Sequence, residues 1–503
     1  MSKKIMQVEY IHESHSMMRM IECTIRENWE RPAFSDYGSK TLFTYKEVAQ
    51  ELTRLHEKFR AMGLKAGDRI AICGKNQSRW AVAYLAAFTF GAVTVPILHD
   101  FNAEQIHNIL EHSDTHLLMC SSDILRKFDN NVDALPCPVY DVAKIGNEPF
   151  DMPFAKADVH YFDDQPEELA MLSYTSGSTG HSKGVMLAYR TIWSNVAFAD
   201  EVLGLKPNSN IVSLLPMAHM YGFAFEFMYE FCIGSHIHFL TKAPSPTVLL
   251  KVFADVKPKI VIAVPLIIEK IVQGKIFPVL RAVQMRSLLM LPIVRGFIYR
   301  KIRKTLENVF GGEFYEIVVG GAAFNSEVET FLKRIKFPYT VGYGMTECGP
   351  IICYRDWKSF AKTSCGVAAP RMEVKILSSD PQNVPGEIVT RGMNVMLGYY
   401  KNEEATAEAI DEEGWLHTGD LGTMDADGNV FIRGRAKNML LGSNGQNIYP
   451  EEIEEKLTGH VLIDECVVVQ RGDKLVGLVY TSDDTLRRHG MSREDFEHQL
   501  DRY

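Results

Sequence analysis

Residues 174–184 read Y-T-S-G-S-T-G-H-S-K-G and lie between two apolar runs, 169–172 and 185–187. Thr175, Ser176, Gly177, Ser178, Thr179 and Gly180 are all glycine or hydroxyl-bearing. Glycines let the backbone turn its N–H groups toward one point, and hydroxyls add donors with little bulk. Lys183 then supplies a mobile positive charge. The set suits a polyphosphate. It is not a P-loop, which needs Gly directly before the lysine and Ser or Thr after it; here Ser182 and Gly184 stand there. Taken alone, the stretch also reads as a flexible surface loop.

Three further clusters lie far along the chain. Gly320, Gly321, Ala322 and Ala323 follow an apolar run, and their small side chains would admit a flat ligand against the backbone. Tyr343, Gly344, Met345, Thr346 and Glu347 offer an aromatic face, a hydroxyl and a carboxylate within five positions. The stretch W-L-H-T-G-D at 415–420 ends in Asp420, a carboxylate suited to a pair of hydroxyls such as a ribose diol. Each has a plain structural alternative: Gly-Gly as a tight turn, Tyr343 as a core aromatic, Glu347 and Asp420 as turn caps. Four such clusters in one chain argue for a site.

These segments need elements to hold them. At 503 residues the chain is long enough for two to four domains. Apolar residues at 46% and charged residues at 23% describe a soluble globular protein. A net charge of −9 argues against bulk nucleic-acid binding. Nine scattered cysteines without a C-x-x-C pair predict reduced thiols and no metal finger. The N-terminus lacks the apolar stretch of a signal peptide, so a cytoplasmic protein is expected. The uncharged stretch 80–98 has the length of a membrane span, but Gly91, Pro96 and its β-branched second half predict a buried helix followed by a buried strand.

Helical periodicity over 45–62, a strand at 69–73 and short strands at 117–120 and 139–140 make residues 1–165 an α/β subdomain. Residues 166–369 repeat the alternation, with a helix at 191–203 and strands at 211–215, 260–264 and 316–319. After residue 370, short strands separated by Pro, Gly and Asp turns predict a small antiparallel unit over 370–434, with a hairpin turn at 425–429. Arg435–Asn438 reads as a linker. A helix at 450–457 and strands at 465–470 and 475–480 form a last unit over 439–503.

Together and in this order, the four clusters resemble the adenylate-forming superfamily: acyl-CoA synthetases, peptide-synthetase adenylation domains and luciferases. The resemblance runs from about residue 41 to 480. It implies two doubly wound α/β subdomains, a β-barrel, and a small C-terminal α+β lid turning on a hinge. By resemblance, Thr175 to Lys183 wrap the ATP β- and γ-phosphates. Gly320 to Ala323 and Tyr343 sandwich the adenine, Thr346 contacts the α-phosphate, and Glu347 with Thr175 holds Mg²⁺. Asp420, helped by Arg435, binds the ribose hydroxyls. His219, in L-P-M-A-H-M-Y-G, matches the family histidine beside the acyl carboxylate; read alone, it is a buried histidine. Lys437 occupies the hinge. The implied cofactors are ATP, Mg²⁺ and CoA: a carboxylate attacks the α-phosphorus, pyrophosphate leaves, and a thiol takes the acyl group from the adenylate.

The chain departs from the family pattern at three points. His181 and Ser182 stand where proline is common, and Asn438 where an acid is frequent. The family's C-terminal bridging lysine has no counterpart before Tyr503, so the lid is expected to be incomplete, or that residue lost, and the first half-reaction weakened. V-P-L-I-I-E-K at 264–270 resembles long-chain fatty acyl-CoA synthetases. Eight basic residues and no acid fall within 275–304, which predicts either contact with an anionic membrane or a solvated helical hairpin. The leading expectation is a fatty acyl-CoA ligase. The others are an aryl-acid or carrier-protein variant of the same chemistry and, in a different class, a non-catalytic nucleotide-binding protein. No nucleic-acid partner is expected.

Overall fold

The computed structural model describes residues 15–175, 182–241, 246–441, 447–458, 460, 462–471, 474–488 and 490–500. The stretch 80–98 resolves as expected into helix Ser78–Thr89 and strand Val93–Ile97. Eleven of the twelve helix residues, all but Arg79, are uncharged and buried, with Trp80, Tyr84 and Phe88 almost fully enclosed. Helix Tyr45–Ala61 starts at a reciprocal cap: Thr44 accepts from Glu47 N–H and Glu47 accepts from Thr44 N–H.

A seven-stranded sheet runs in the order Gly398–Tyr399, Lys183–Ala188, Leu169–Thr175, Val93–Ile97, Arg69–Cys73, Thr115–Cys120 and Val139–Asp141. Its last five strands are parallel and the first two antiparallel. A second sheet holds Leu42–Thr44, Pro32–Asp36, His236–Phe239 and Asn210–Ser213. A third, wholly parallel, holds Val261–Ala263, Ile317–Val319 and Tyr339–Val341. Lys259 N–H donates to Asn210 O at 3.0 Å where the second and third sheets meet.

Strands on both sides of residue 165 therefore share sheets. Leu169–Thr175 and Lys183–Ala188 extend the N-terminal sheet, while Pro32–Asp36 crosses into the second. Apolar strands specify burial, not the partner with which they share a ladder, so a division of the sequence at 165 does not coincide with the division of the sheets.

The β unit after residue 370 is a four-stranded antiparallel sheet, Met372–Leu377, Gly386–Gly392, Leu416–Met424 and Val430–Arg435. The 425–429 turn forms as expected, with Asp425 Oδ1 accepting from Asp427 N–H at 3.0 Å and Asn429 N–H at 2.8 Å. Arg435, expected in a linker, is instead the last residue of a strand, and Ala436–Asn438 adds one 3-10 turn. Beyond it, helix Pro450–Thr458 packs on the hairpin Glu465–Arg471/Lys474–Tyr480. None of the nine cysteines, all of them among the described residues, forms a disulfide. Among the described residues no helix is long and apolar enough to cross a membrane.

Candidate active site

Parallel strands end in register. Ala263, Val319 and Val341 pair across the third sheet, so the residues that follow them, Val264, Gly320 and Gly342, emerge side by side at its carboxyl edge. Such an edge is where open α/β sheets bind ligands. Gly320 N–H donates to Ala263 O and Gly342 N–H to Val319 O, closing the row. Tyr221 supports it from below: its hydroxyl donates to Val318 O at 3.0 Å, and a Cβ at Gly320 would sit 3.1 Å from its ring.

The chain then turns into the short strand Tyr343–Gly344, pairs with Ile351–Tyr354, and carries Thr346 and Glu347 on a single 3-10 turn. A side chain at Gly344 would meet Pro350 O at 2.1 Å, so only glycine fits. Asn195, fully buried on helix Tyr189–Leu203, pins this turn by donating to Cys348 O at 3.2 Å and accepting from Ile351 N–H at 3.0 Å. From the antiparallel pair Leu169–Thr175/Lys183–Ala188 come Thr175 and Lys183, directly opposite each other. The intervening Ser176, Gly177, Ser178, Thr179, Gly180 and His181 lie outside the described residues.

One cavity of about 440 Å³ collects these groups. Thr175, Lys183, His219, Gly320, Gly321, Tyr343, Gly344, Met345, Thr346, Glu347, Arg435 and Lys437 all line it, together with Tyr221 and Tyr399. An apolar wall of Phe198, Leu203, Phe225, Ile262 and Ile351 completes it. Asp420 stands just behind: it is 6% exposed, accepts from the Tyr343 hydroxyl at 2.7 Å and pairs with Arg435 Nε at 3.0 Å. That last contact follows from the ladder, in which Asp420 faces Arg435. Burial raises the Asp420 pKa above the usual carboxylate range, opposed by the Tyr343 hydrogen bond and the Arg435 charge. Ala322 and Ala323, by contrast, are exposed and absent from the cavity wall, because the chain bends away after Gly321 at φ +85°.

Tyr399 was not singled out in the sequence. Its hydroxyl donates to Glu347 Oε1 at 2.9 Å, and its ring lies 4.6 Å from Lys183 Nζ. His219 projects into the open space of the cavity while protein surrounds it on the other sides. That crowding lowers its pKa below the ordinary 6.5. Its Nδ1 accepts from Tyr221 N–H at 3.3 Å, which leaves the proton of the neutral ring on Nε2.

The donors fit a magnesium nucleotide. Threonine hydroxyls, the ammonium groups of Lys183 and Lys437 and a single carboxylate line the cavity together with the glycine row, whose backbone is open to a flat ring. Among the described residues no group of three His, Cys, Asp or Glu side chains is arranged to hold a metal ion. One carboxylate matches Mg²⁺, which binds through one or two carboxylates plus substrate phosphates rather than an all-protein cage.

Residues 22–400 match the AMP-binding enzyme family. The chain belongs to that family. Its relatives are acid–CoA ligases, and it is an adenylate-forming ligase of that class. It is 28% identical over 489 residues to the long-chain-fatty-acid–CoA ligase FadD15 of Mycobacterium tuberculosis, covering 89% of this chain and 78% of the relative. It is 30% identical over 498 residues to 4-coumarate–CoA ligase 3 of Oryza sativa, covering 93% and 82%. The fold is also that of the O-succinylbenzoate CoA synthetase of Bacillus subtilis solved with ATP and magnesium, with a TM-score of 0.74, 22% identity, and 92% and 89% of the two chains covered. A fatty acyl CoA synthetase of Mycobacterium tuberculosis superposes with a TM-score of 0.71 at 19% identity, over 95% and 90%.

Proposed function

We propose that this enzyme joins a long-chain fatty acid to CoA, using ATP and Mg²⁺ and releasing AMP and pyrophosphate. The observation that carries the reading is the single cavity in which a phosphate-type wall (Thr175, Lys183, Thr346, Glu347) and an apolar wall (Phe198, Leu203, Phe225, Ile262) meet. A carboxylate is a poor electrophile, so it must first be coupled to the α-phosphorus of ATP. Both reactants are anions, and neutralising their repulsion is the main catalytic task. In this reading Lys183 and the donors around it hold the outgoing phosphates, and Thr346 contacts the α-phosphate. Glu347, with Thr175, holds Mg²⁺, which when bound supplies charge neutralisation. Gly320, Gly321 and Tyr343 hold the adenine, and Asp420 with Arg435 the ribose. His219, neutral at neutral pH, offers Nε2–H to the acyl carboxylate without adding charge.

We further assign residues 435–438, with Lys437 at the cavity, as the pivot of the small C-terminal unit over 439–503. Its contact with the rest includes Asn438 Nδ2 donating to Glu451 Oε1 at 2.7 Å. An aryl acid is the second reading, favoured by the 30% identity to a 4-coumarate–CoA ligase and by the aromatic wall of Phe198, Tyr221, Phe225 and Tyr354. The test is thioester formation with ATP and CoA over acids from acetate to palmitate, with 4-coumarate alongside. The expected result is highest kcat/KM among the long saturated acids. Preference for 4-coumarate would select the second reading, and no AMP release with any acid would sink both.

A further inference from the structure

Residues 282–309 form a helical hairpin, Val283–Leu289 followed by Pro292–Val309, joined at Met290-Leu291. Its tip is apolar and in water. Ile293 is 90% exposed, Met290 81%, Val283 80% and Phe297 67%. A cluster of large, nearly uncovered apolar side chains marks an interaction surface.

The second helix has two faces. Tyr299, Ile302, Leu306 and Val309 follow helical spacing and pack on the core built around Phe253, Phe310 and Phe331. Ile293 and Phe297, four residues apart, fall on the opposite side at roughly 100° per residue, together with the exposed Arg300, Lys301 and Lys304. The outward face is therefore apolar for its first two turns and cationic for the next two. Arg286 and Arg295 add charge around the tip. Of the eight basic residues within 275–304, Arg281 pairs with Glu327 and Arg303 with Glu307; the other six carry no ion pair among the described residues. On a chain of net charge −9 this is a strong local reversal of sign.

We propose that this hairpin docks on an anionic lipid surface, with Met290, Leu291, Ile293 and Phe297 inserted among the acyl chains and Arg300, Lys301 and Lys304 at the phosphate level. The order of the face argues for lipid: an apolar tip followed by a basic collar matches a bilayer boundary in depth, with basic side chains reaching back to the headgroups. Each basic residue near such a surface adds attraction, and each inserted apolar side chain adds burial. The helix Pro265–Ile271, whose first residue follows Val264 near Gly321, begins the chain segment that runs on from the site to the hairpin. The proposal does not depend on which acid is used, because docking is read from binding and the site from turnover.

The experiment is co-sedimentation of the full chain with phosphatidylglycerol–phosphatidylcholine vesicles and with pure phosphatidylcholine, at low and high salt. Binding to the anionic vesicles that weakens with salt is expected. The Ile293→Asp/Phe297→Asp variant should lose at least about tenfold in vesicle affinity, and Lys301→Glu/Lys304→Glu should lose affinity only for anionic vesicles. Both variants should keep the parent's turnover of a short soluble acid, since all four residues are exposed. A Phe297→Trp probe should be quenched by brominated lipid. The proposal fails if the parent ignores anionic vesicles at low salt, or if the aspartate variant binds them as well as the parent. It also fails if the parent self-associates through this face, seen as a dimer that Ile293→Asp dissociates and no vesicle binding.

Discussion

Tyr399 touches two charged groups of the site at once, donating to Glu347 Oε1 and facing the Lys183 ammonium with its ring. It reaches both because Tyr399 pairs with Val185 in the sheet, two residues beyond Lys183. A hydrogen bond to a carboxylate and a cation–π contact are each worth on the order of 1 kcal/mol. Tyr399→Phe removes the first and keeps the second; Tyr399→Leu removes both. The expected outcome is an increase of about two- to tenfold in half-saturating Mg·ATP for the phenylalanine variant and a larger one for leucine. Direct nucleotide titration of the unreacted enzyme checks it, and parent-like binding by both variants would show that Glu347 and Lys183 are oriented by other groups. Nothing local in M-L-G-Y-Y-K marks this tyrosine, since its importance comes from a ladder between positions more than two hundred residues apart. Glu347, Thr346, Tyr343 and Asp420 were legible because acid, hydroxyl and aromatic cluster within a few positions. Ala322 and Ala323 were read with Gly320 and Gly321 as one unit, and only the backbone bend after Gly321 separates them.

At the scale of elements, the segment bearing His219 is held from beneath. Phe223–Met228 is a wide π-type turn, a form common at functional sites. It carries Glu226, fully enclosed, whose Oε2 accepts from Leu214 N–H at 2.8 Å and Leu215 N–H at 2.7 Å at the end of strand Asn210–Ser213. Asn76 continues the support, donating to Leu215 O and accepting from Met217 N–H. Glu226→Ala would leave two buried N–H groups unpaired and should destabilise by about 2–5 kcal/mol, while Glu226→Gln keeps an acceptor and should cost about 1 kcal/mol. Thermal unfolding of both variants tests this, and an alanine variant as stable as glutamine would overturn it. The carboxylate is held in place within F-A-F-E-F-M, a run that reads as core or acyl tunnel because its apolar residues dominate the pattern. The helices given bounds from the sequence, 45–62, 191–203 and 450–457, end within two residues of Tyr45–Ala61, Tyr189–Leu203 and Pro450–Thr458, whereas Met17–Glu27 and Ala103–His112 were not read. Sheet membership was not legible, since Pro32–Asp36 also pairs with His236–Phe239, and Leu169–Thr175 with Val93–Ile97, partners far away in sequence.

Buried ionisable groups of both kinds couple the stability of the whole molecule to pH. Burial drives the pKa of His56 down to about 4, that of His236 to about 4 and that of His238 to about 3. The unfolded chain protonates these histidines near 6.5, so between pH 6.5 and 4 it binds more protons than the folded chain, and their contribution to stability is lost as pH falls. Glu226, Glu230 and Glu316 act in the opposite sense. Burial raises their pKa, to about 7 for Glu316, so the folded chain keeps protons that the unfolded chain releases above 4.5, and their contribution weakens as pH rises. The two kinds, which also include His219 and Asp420, oppose each other between pH 4.5 and 6.5 and flatten the stability profile there. Removing one histidine should tilt it. His56 hydrogen-bonds Ala86 O and Thr89 Oγ1 through Nε2, and His56→Gln loses some of this packing equally at every pH. The pH-dependent part is read as the difference between variant and parent at pH 5 minus that at pH 7. This difference should favour the variant by about 1–2 kcal/mol, seen as a relative gain in the midpoint of the first thermal transition. A difference of zero would mean that His56 takes up its proton in the folded chain as readily as in water, and the assignment of an enclosed, neutral His56 would fall.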